Sequence, residues 1–287
     1  MILYALPDFT VMLSYNLMFA RMMQTAPELF HDDVKADCIY GCFPDCIMNG
    51  GRLTPGERAS YEQISRTFDA IEEEGLGIRI TFTNMLVRPE HFEDEYANTI
   101  LRAARGRNAK VIVWSDELGE YISGRYNLGL ILSTTRELNG AGELNEMLSR
   151  YDMAVLEYNH NKDDAFLQQV AFPEKLEVMA NELCKPGCKV RQQHYLVVSR
   201  NQMEHSSVDF QCPGNYQMPP GFAILAASSP TILGNEDIRR LHKTYGISHF
   251  KLIGRKYDIQ FFAESYLYYL VRPEYRNVMA KIIRKYK

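Results

Sequence analysis

Short apolar runs recur along the chain at intervals that leave room for a helix between one and the next. Eight of them read as strands: residues 2–6, 36–40, 77–82, 110–114, 128–132, 153–157, 176–180 and 249–253. Several of the segments between them carry helix signals. Residues 54–74 open with Pro55 in the first turn and close at Gly75, the usual start and stop. Residues 88–105 place Phe92, Tyr96, Ile100 and Leu101 at three- and four-residue spacing, a stripe suited to packing on the outside of a sheet. Residues 143–150 and 163–170 are shorter versions of the same pattern. Strands alternating with helices predict an α/β fold, a single (β/α)8 TIM-like barrel, with an open doubly wound sheet as the alternative that periodicity leaves standing.

The rhythm breaks over residues 191–234, which contain Cys212-Pro213-Gly214, Pro219-Pro220-Gly221 and Ser228-Ser229-Pro230. Such turn chemistry predicts a long cysteine-bearing loop or small insertion between strands seven and eight. Irregular stretches longer than about 15 residues in a compact domain are usually functional or disordered, and the cysteine favours function. No internal repeat, low-complexity tract or linker divides the chain, so one barrel domain over residues 1–287 is expected. The basic segment 275–287 reads as a solvated helix capping the barrel.

Composition narrows the function classes. A chain of 287 residues by itself allows one domain or two. With 46% apolar and 24% charged residues it is neither disordered nor collagen-like. A formal charge of −4 lacks the basic excess that phosphate-backbone binding needs, so nucleic acid is not the expected main partner. No window approaches the roughly 18 apolar residues of a membrane span, and Met1-Ile2-Leu3-Tyr4 carries no basic leader. A cytoplasmic location follows as the expectation. Six cysteines in such a chain read as thiols or metal ligands, not as a disulfide frame.

A barrel places its chemistry at the carboxyl ends of its strands. There the sequence is polar: Asn49-Gly50-Gly51-Arg52, Thr83-Asn84, Ser115-Asp116-Glu117, Ser133-Thr134-Thr135-Arg136, Glu157 with Asn159, His160 and Asn161, Asn181-Glu182, and Gly254-Arg255. Any one of these is more often a solvated loop residue than a functional one. Amides and hydroxyls at the same phase of successive units predict one polar pocket for a small-molecule or tethered substrate, with Arg52, Asn84, Asn159, Asn181 and Arg255 as its binding residues. Gly50-Gly51-Arg52 serves equally as an anion site, with glycines for close approach and a planar guanidinium beside them, or as a plain turn. It matches neither the dinucleotide nor the P-loop glycine pattern. No serine elbow, H-E-x-x-H motif or diagnostic carboxylate pair is present, and no residue stands out as catalytic.

The cysteines form two groups. Cys38-x3-Cys42-x3-Cys46 departs from the C-x3-C-x2-C of radical S-adenosylmethionine enzymes by one residue, and Cys38 lies in a strand, where a buried thiol is a small hydrophobe. Cys184-Lys185-Pro186-Gly187-Cys188 turns two thiols to one side of a tight loop, with Lys185 and Lys189 favouring thiolates, and Cys212 follows in the long loop. Cys184, Cys188 and Cys212 are the candidate ligands of a soft metal or an iron–sulfur cluster, with unligated thiols as the alternative. A fourth ligand would come from His194, Cys38, Cys42 or Cys46. His194-Tyr195 reads either as a local acid/base pair or as a hydrogen-bonded structural pair.

Residues 176–184 with Cys188, and 250–255, resemble the collagenase-like peptidase family, peptidase family U32. In that family a strand reading roughly leu-glu-val-phe-val-his-gly precedes a cysteine loop, and a later strand reads leu-lys-ile-glu-gly-arg. The likeness in the order of elements runs from about residue 36 to 270. It implies a TIM-like barrel in the cytoplasm of a bacterium or its phage. Some members carry a four-iron four-sulfur cluster on four cysteines and serve oxygen-independent hydroxylation of ubiquinone precursors or transfer RNA; others are named as peptidases. Cys184 and Cys188 match the cysteine loop, and Lys251, Gly254 and Arg255 match the last-strand motif. Ile253 stands where the family has glutamate and Asn181 where it has histidine, which removes a carboxylate from the expected pocket. Three functions are therefore open to the chain: an iron–sulfur-dependent modifying enzyme or enzyme subunit, a zinc-stabilised or metal-free binding protein, and a peptidase. Each leaves room for a protein partner or a homo-oligomer.

Overall fold

The computed structural model describes residues 1–51, 56–212, 221–254 and 259–285. All eight predicted strands form: β1 (Ile2–Pro7), β2 (Val34–Gly41), β3 (Gly77–Phe82), β4 (Ala109–Val113), β5 (Gly129–Leu132), β6 (Met153–Val155), β7 (Leu176–Met179) and β8 (His249–Lys251). Each pairs in parallel with the next, and β8 returns to β1 through Leu3–His249, Tyr4–Phe250 and Ala5–Lys251. The sheet is a closed barrel, so the open-sheet alternative falls.

The helices are α1 (Leu13–Thr25), α2 (Tyr61–Glu73), α3 (Glu95–Ala104), α4 (Asp116–Tyr126), α5 (Ala141–Arg150), α6 (Asp164–Leu167), α7 (Arg191–Glu204), α8 (Phe222–Ser228), α9 (Asn235–Tyr245), α10 (Ile259–Tyr269) and α11 (Arg276–Lys285). Caps decide where several begin. The segment predicted as a helix from residue 54 yields α2 only from Tyr61; Thr54 and Pro55 lie outside the described residues. Ser60 accepts from Gln63 N–H while the Gln63 side chain accepts from Ser60 N–H, a reciprocal capping box. The segment 88–105 splits into a short 3-10 turn, Pro89–His91, and α3, because Asp94 caps Ala97 N–H and restarts the helix.

Residues 191–234, expected as a loop or small insertion, contain α7 and α8. Helix α7 has no apolar stripe for a pattern reading to find: its buried positions are Arg191, Ser199, Asn201 and Gln202. The basic C-terminal segment forms α11, which packs on α10 and buries Met279 and Ile283, so it is anchored by an apolar face. No helix among the described residues is long and apolar enough to cross a membrane.

Strand alternation sorts side chains into two layers. Leu176, Val178, Val111, Val113 and Phe250 face outward into the large core shared with the helices, whereas Ile112, Ile131, Met153, Val155, Met179 and Ile253 form a separate inner cluster. Other inward positions carry charge. Glu177, fully buried, is paired with Arg79 and lies 3.4 Å from Lys251 Nζ; Arg79 also holds Asp37 at 2.9 Å. The Lys251 ammonium sits 3.8 Å from the centre of the Tyr40 ring. Burial works against the Glu177 carboxylate, but Lys251 and Arg79 together hold its pKa below the usual range.

Candidate functional site at the carboxyl ends of the strands

The polarity that recurs just beyond the strands has a common local cause. Asp8 accepts from Thr10 N–H at 2.7 Å, Asn84 from Leu86 at 2.9 Å, Ser133 from Thr135 at 3.2 Å, Glu157 from Asn159 at 2.8 Å and Glu182 from Cys184 at 2.8 Å. In each case a side-chain oxygen takes the backbone N–H two residues on and bends the chain over the barrel rim. Ser115 instead caps α4 through Leu118 N–H. The common phase of these residues is thus first a signature of turn formation.

Among the predicted substrate-binding residues, Arg52 and Arg255 lie outside the described residues. Asn84 is buried and spends its amide on the backbone, donating to the carbonyls of Ile47 and Ser199. Asn181, also buried, donates to the Ile253 carbonyl at 2.9 Å and accepts from Ile253 N–H at 2.6 Å. It thereby continues the β7–β8 pairing beyond both strands. Asn181→Ala would strand both Ile253 groups, and a loss of about 2 kcal/mol in chemical denaturation is expected; an unchanged midpoint would contradict this role. Asn159 is exposed and holds the cysteine loop, accepting from Gly187 N–H at 2.8 Å. Gly50 answers to packing: a Cβ there would stand 2.3 Å from the Thr83 carbonyl oxygen, so the loop passes against β3 only with glycine at that point.

The cysteine loop is fastened from beneath. Tyr158, just past β6, donates its hydroxyl to the Lys185 carbonyl at 2.7 Å and accepts from Cys188 N–H at 3.3 Å. Cys184 and Cys188 are half-buried neighbours, whereas Cys212 is exposed. Burial, followed by the hydrogen bond and charge of Cys184 and the charge of Cys212, pushes the Cys188 thiol up. The cation beside Cys184 is Arg191, at the start of α7; Lys185 and Lys189 are exposed. Arg191 and Glu182 are both buried and joined at 3.1 Å, and the guanidinium lies 4.3 Å from the Tyr158 ring centre and 5.2 Å from that of Tyr195.

The three cysteines among the fourth-ligand candidates have surroundings of their own. Cys38 sits within β2 in the field of Arg79 and Glu177, and Cys42 and Cys46 are buried and hydrogen-bonded to each other beyond β2. His194 stacks on Phe210 at 4.8 Å. Among the described residues, no group of three or more His, Cys, Asp or Glu side chains is arranged to hold a metal ion. The described thiols therefore offer two adjacent ligands, with Cys212 nearby and next in sequence to residues 213–220, which are not described. Ile253, at the position of the family glutamate, belongs to the apolar inner cluster. With that cluster inside the barrel, the polar groups gather on the rim above β5, β6 and β7.

Sequence reasoning missed Arg191 and Tyr158 as members of this site, as well as the Arg79–Glu177–Lys251 set inside the barrel. One available signal was the lone glutamate within the otherwise apolar run 176–180.

Comparison with family models gives no match, and neither do the curated proteins. Among solved structures, the chain resembles the U32 peptidase Mk0906, with TM-score 0.55 and 15% identity over 89% of this chain and 94% of that one. At that identity the likeness shows the fold alone, a closed (β/α)8 barrel. A GH113 β-1,4-mannanase (TM-score 0.42, 11% identity, 88% of this chain and 86% of that one) and the Bacillus cereus spore cortex-lytic enzyme SleL (TM-score 0.37, 11% identity, 88% and 69%) are more distant.

Proposed function

We propose that the chain is an iron–sulfur-dependent modifying enzyme, or a subunit of one, acting on a small or tethered substrate at the rim above β5, β6 and β7. In this reading Cys184, Cys188 and Cys212 hold a four-iron four-sulfur cluster, and Asn159, with Arg52 and Arg255 as the sequence expects, orients the substrate. The observation that carries it is the pair of adjacent thiols on a loop pinned to the barrel by Tyr158, Asn159 and Glu182, with a buried arginine alongside. A thiolate-held cluster supplies one-electron chemistry when bound. The chain's own contribution is positional: Tyr158 sets the height of the loop, Arg191 places positive charge at Cys184, and Asn84 and Asn181 tie the supporting loops and strands together. Such a centre suits a reducing compartment, in keeping with the cytoplasmic expectation.

A second reading, a binding protein whose thiols hold zinc or nothing, is favoured by one fact: among the described residues, three ligands do not meet. A peptidase reading has only the fold behind it, since no nucleophile or hydrolytic metal motif accompanies the likeness. Iron, labile sulfide and zinc measured on anaerobically purified protein separate these possibilities. Iron and sulfide in about equal amounts, both lost in Cys184→Ser, are expected. Zinc alone, or no metal at all, would overturn the iron–sulfur reading.

A further inference from the structure

Two enclosed polar atoms on this rim face each other as a long ion pair, each without a hydrogen bond. Glu137 Oε1, from the β5–α5 connection, and Arg191 Nε, from the start of α7, are both buried and without a hydrogen-bond partner, and they stand 3.9 Å apart. That separation is too long for a hydrogen bond between them, yet short enough for one small group to touch both. Buried polar atoms are almost always paired, so a facing pair of exceptions needs a reason.

The surroundings hold both atoms in place. Arg191 is only 4% exposed, its Nη2 is spent on Glu182, and its guanidinium lies against the rings of Tyr158 and Tyr195, leaving Nε–H as the donor aimed at Glu137. Glu137 has a left-handed backbone, φ 52° and ψ 52°, a conformation that costs energy for a residue with a side chain and gathers at functional positions. Its carboxyl is pushed above the usual range by burial, with Arg191 opposing, the charge of Glu157 adding to the rise and a hydrogen bond from the Gln192 side chain, which leaves Oε1 open, lowering it.

We propose that Glu137 and Arg191 form a two-point subsite for a neutral polar group carrying a donor and an acceptor together, a carboxamide or a hydroxyl. The oxygen of that group accepts from Arg191 Nε–H, and its N–H or O–H donates to Glu137 Oε1. An anion there would meet the carboxylate and a cation the guanidinium, whereas a neutral dipole complements both. Because Arg191 also contacts Cys184, the bound group lies one side chain away from the thiol pair. The inference rests on the reading of this rim as the functional site, and it gives that site a substrate class.

The test follows the Arg191 Nε–H resonance in 15N-labelled protein during titration with acetamide as the neutral probe and acetate as the charged control. A saturable shift with acetamide and none with acetate is expected. Glu137→Leu should weaken acetamide binding about tenfold, with Glu137→Ala giving the same comparison if leucine is not accommodated. Glu137→Gln, which keeps an acceptor oxygen, should retain binding. No saturable shift, an equal response to acetate, or an unchanged response in the Leu and Ala variants would overturn the subsite. Iron and sulfide content measured on the same samples keeps the two ideas apart: metal present without probe binding sinks the subsite alone, whereas probe binding without metal sinks the cluster alone.

Discussion

Glu177→Leu is expected to cost about 3–5 kcal/mol of folding stability, read as a lowered midpoint in urea denaturation at neutral pH. Glu177 is fully buried and faces two cations, Arg79 at 6% exposure and Lys251 at 10%. Removing the carboxylate leaves, among the described residues, the guanidinium with the partly exposed Asp37 and the ammonium with the Tyr40 ring. Desolvated charge without a partner is far more costly than the lost pair is favourable. The triple change Arg79→Leu, Glu177→Leu, Lys251→Met, which removes the whole set, should therefore recover most of the loss. A single-variant cost below about 1 kcal/mol would show that the interior charges are hydrated and that the set is not structural.

The same pair has a pH signature. Glu177 has a folded pKa held below the unfolded value of about 4.3, so its contribution is fully present above that value. It is lost as pH falls through the lower folded pKa. Acid titration of stability should fall more steeply in the wild type than in Glu177→Leu, and parallel curves would count against the assignment.

Arg191→Leu should cost about 3 kcal/mol and should also loosen the cysteine loop. Glu182 is 1% exposed and would keep its bond to Cys184 N–H while losing its cation. Tyr158 would lose the guanidinium that lies against its ring, and Tyr158 is what holds Lys185 and Cys188 in place. Cys184 and Cys188 should then react faster with an alkylating reagent, measured under conditions where both proteins are fully folded. Arg191→Lys should rescue only in part, because an ammonium neither lies flat on tyrosine nor makes the forked contact. Unchanged alkylation rates in Arg191→Leu would mean that the loop is held without the arginine.

The eight strands were legible because each one is a short apolar run, and burial on both faces demands apolar side chains whatever the neighbours are. Helices α2 and α3 were legible in place but not in length, since their starts depend on Ser60 and Asp94, single capping side chains whose choice among several nearby candidates is a matter of local hydrogen bonding. Helix α7 was invisible because its buried side is polar. At the site, Cys184 and Cys188 were marked by their spacing around Pro-Gly. Asn84 and Asn181 were marked as well, but for polarity, and polarity does not say whether an amide faces a ligand or a backbone group.

By itself the sequence determined the α/β class, the number of strands and the face on which polar residues gather, since these follow from periodicity and turn chemistry, which act between near neighbours. Only the tertiary structure decided that the sheet closes, that Glu177 meets Arg79 from 98 positions away, and that Glu137 faces Arg191 across the rim. Those pairings depend on which strands and loops become adjacent when the barrel forms. Their energy comes from removing charges from water together, which no local pattern along the chain records.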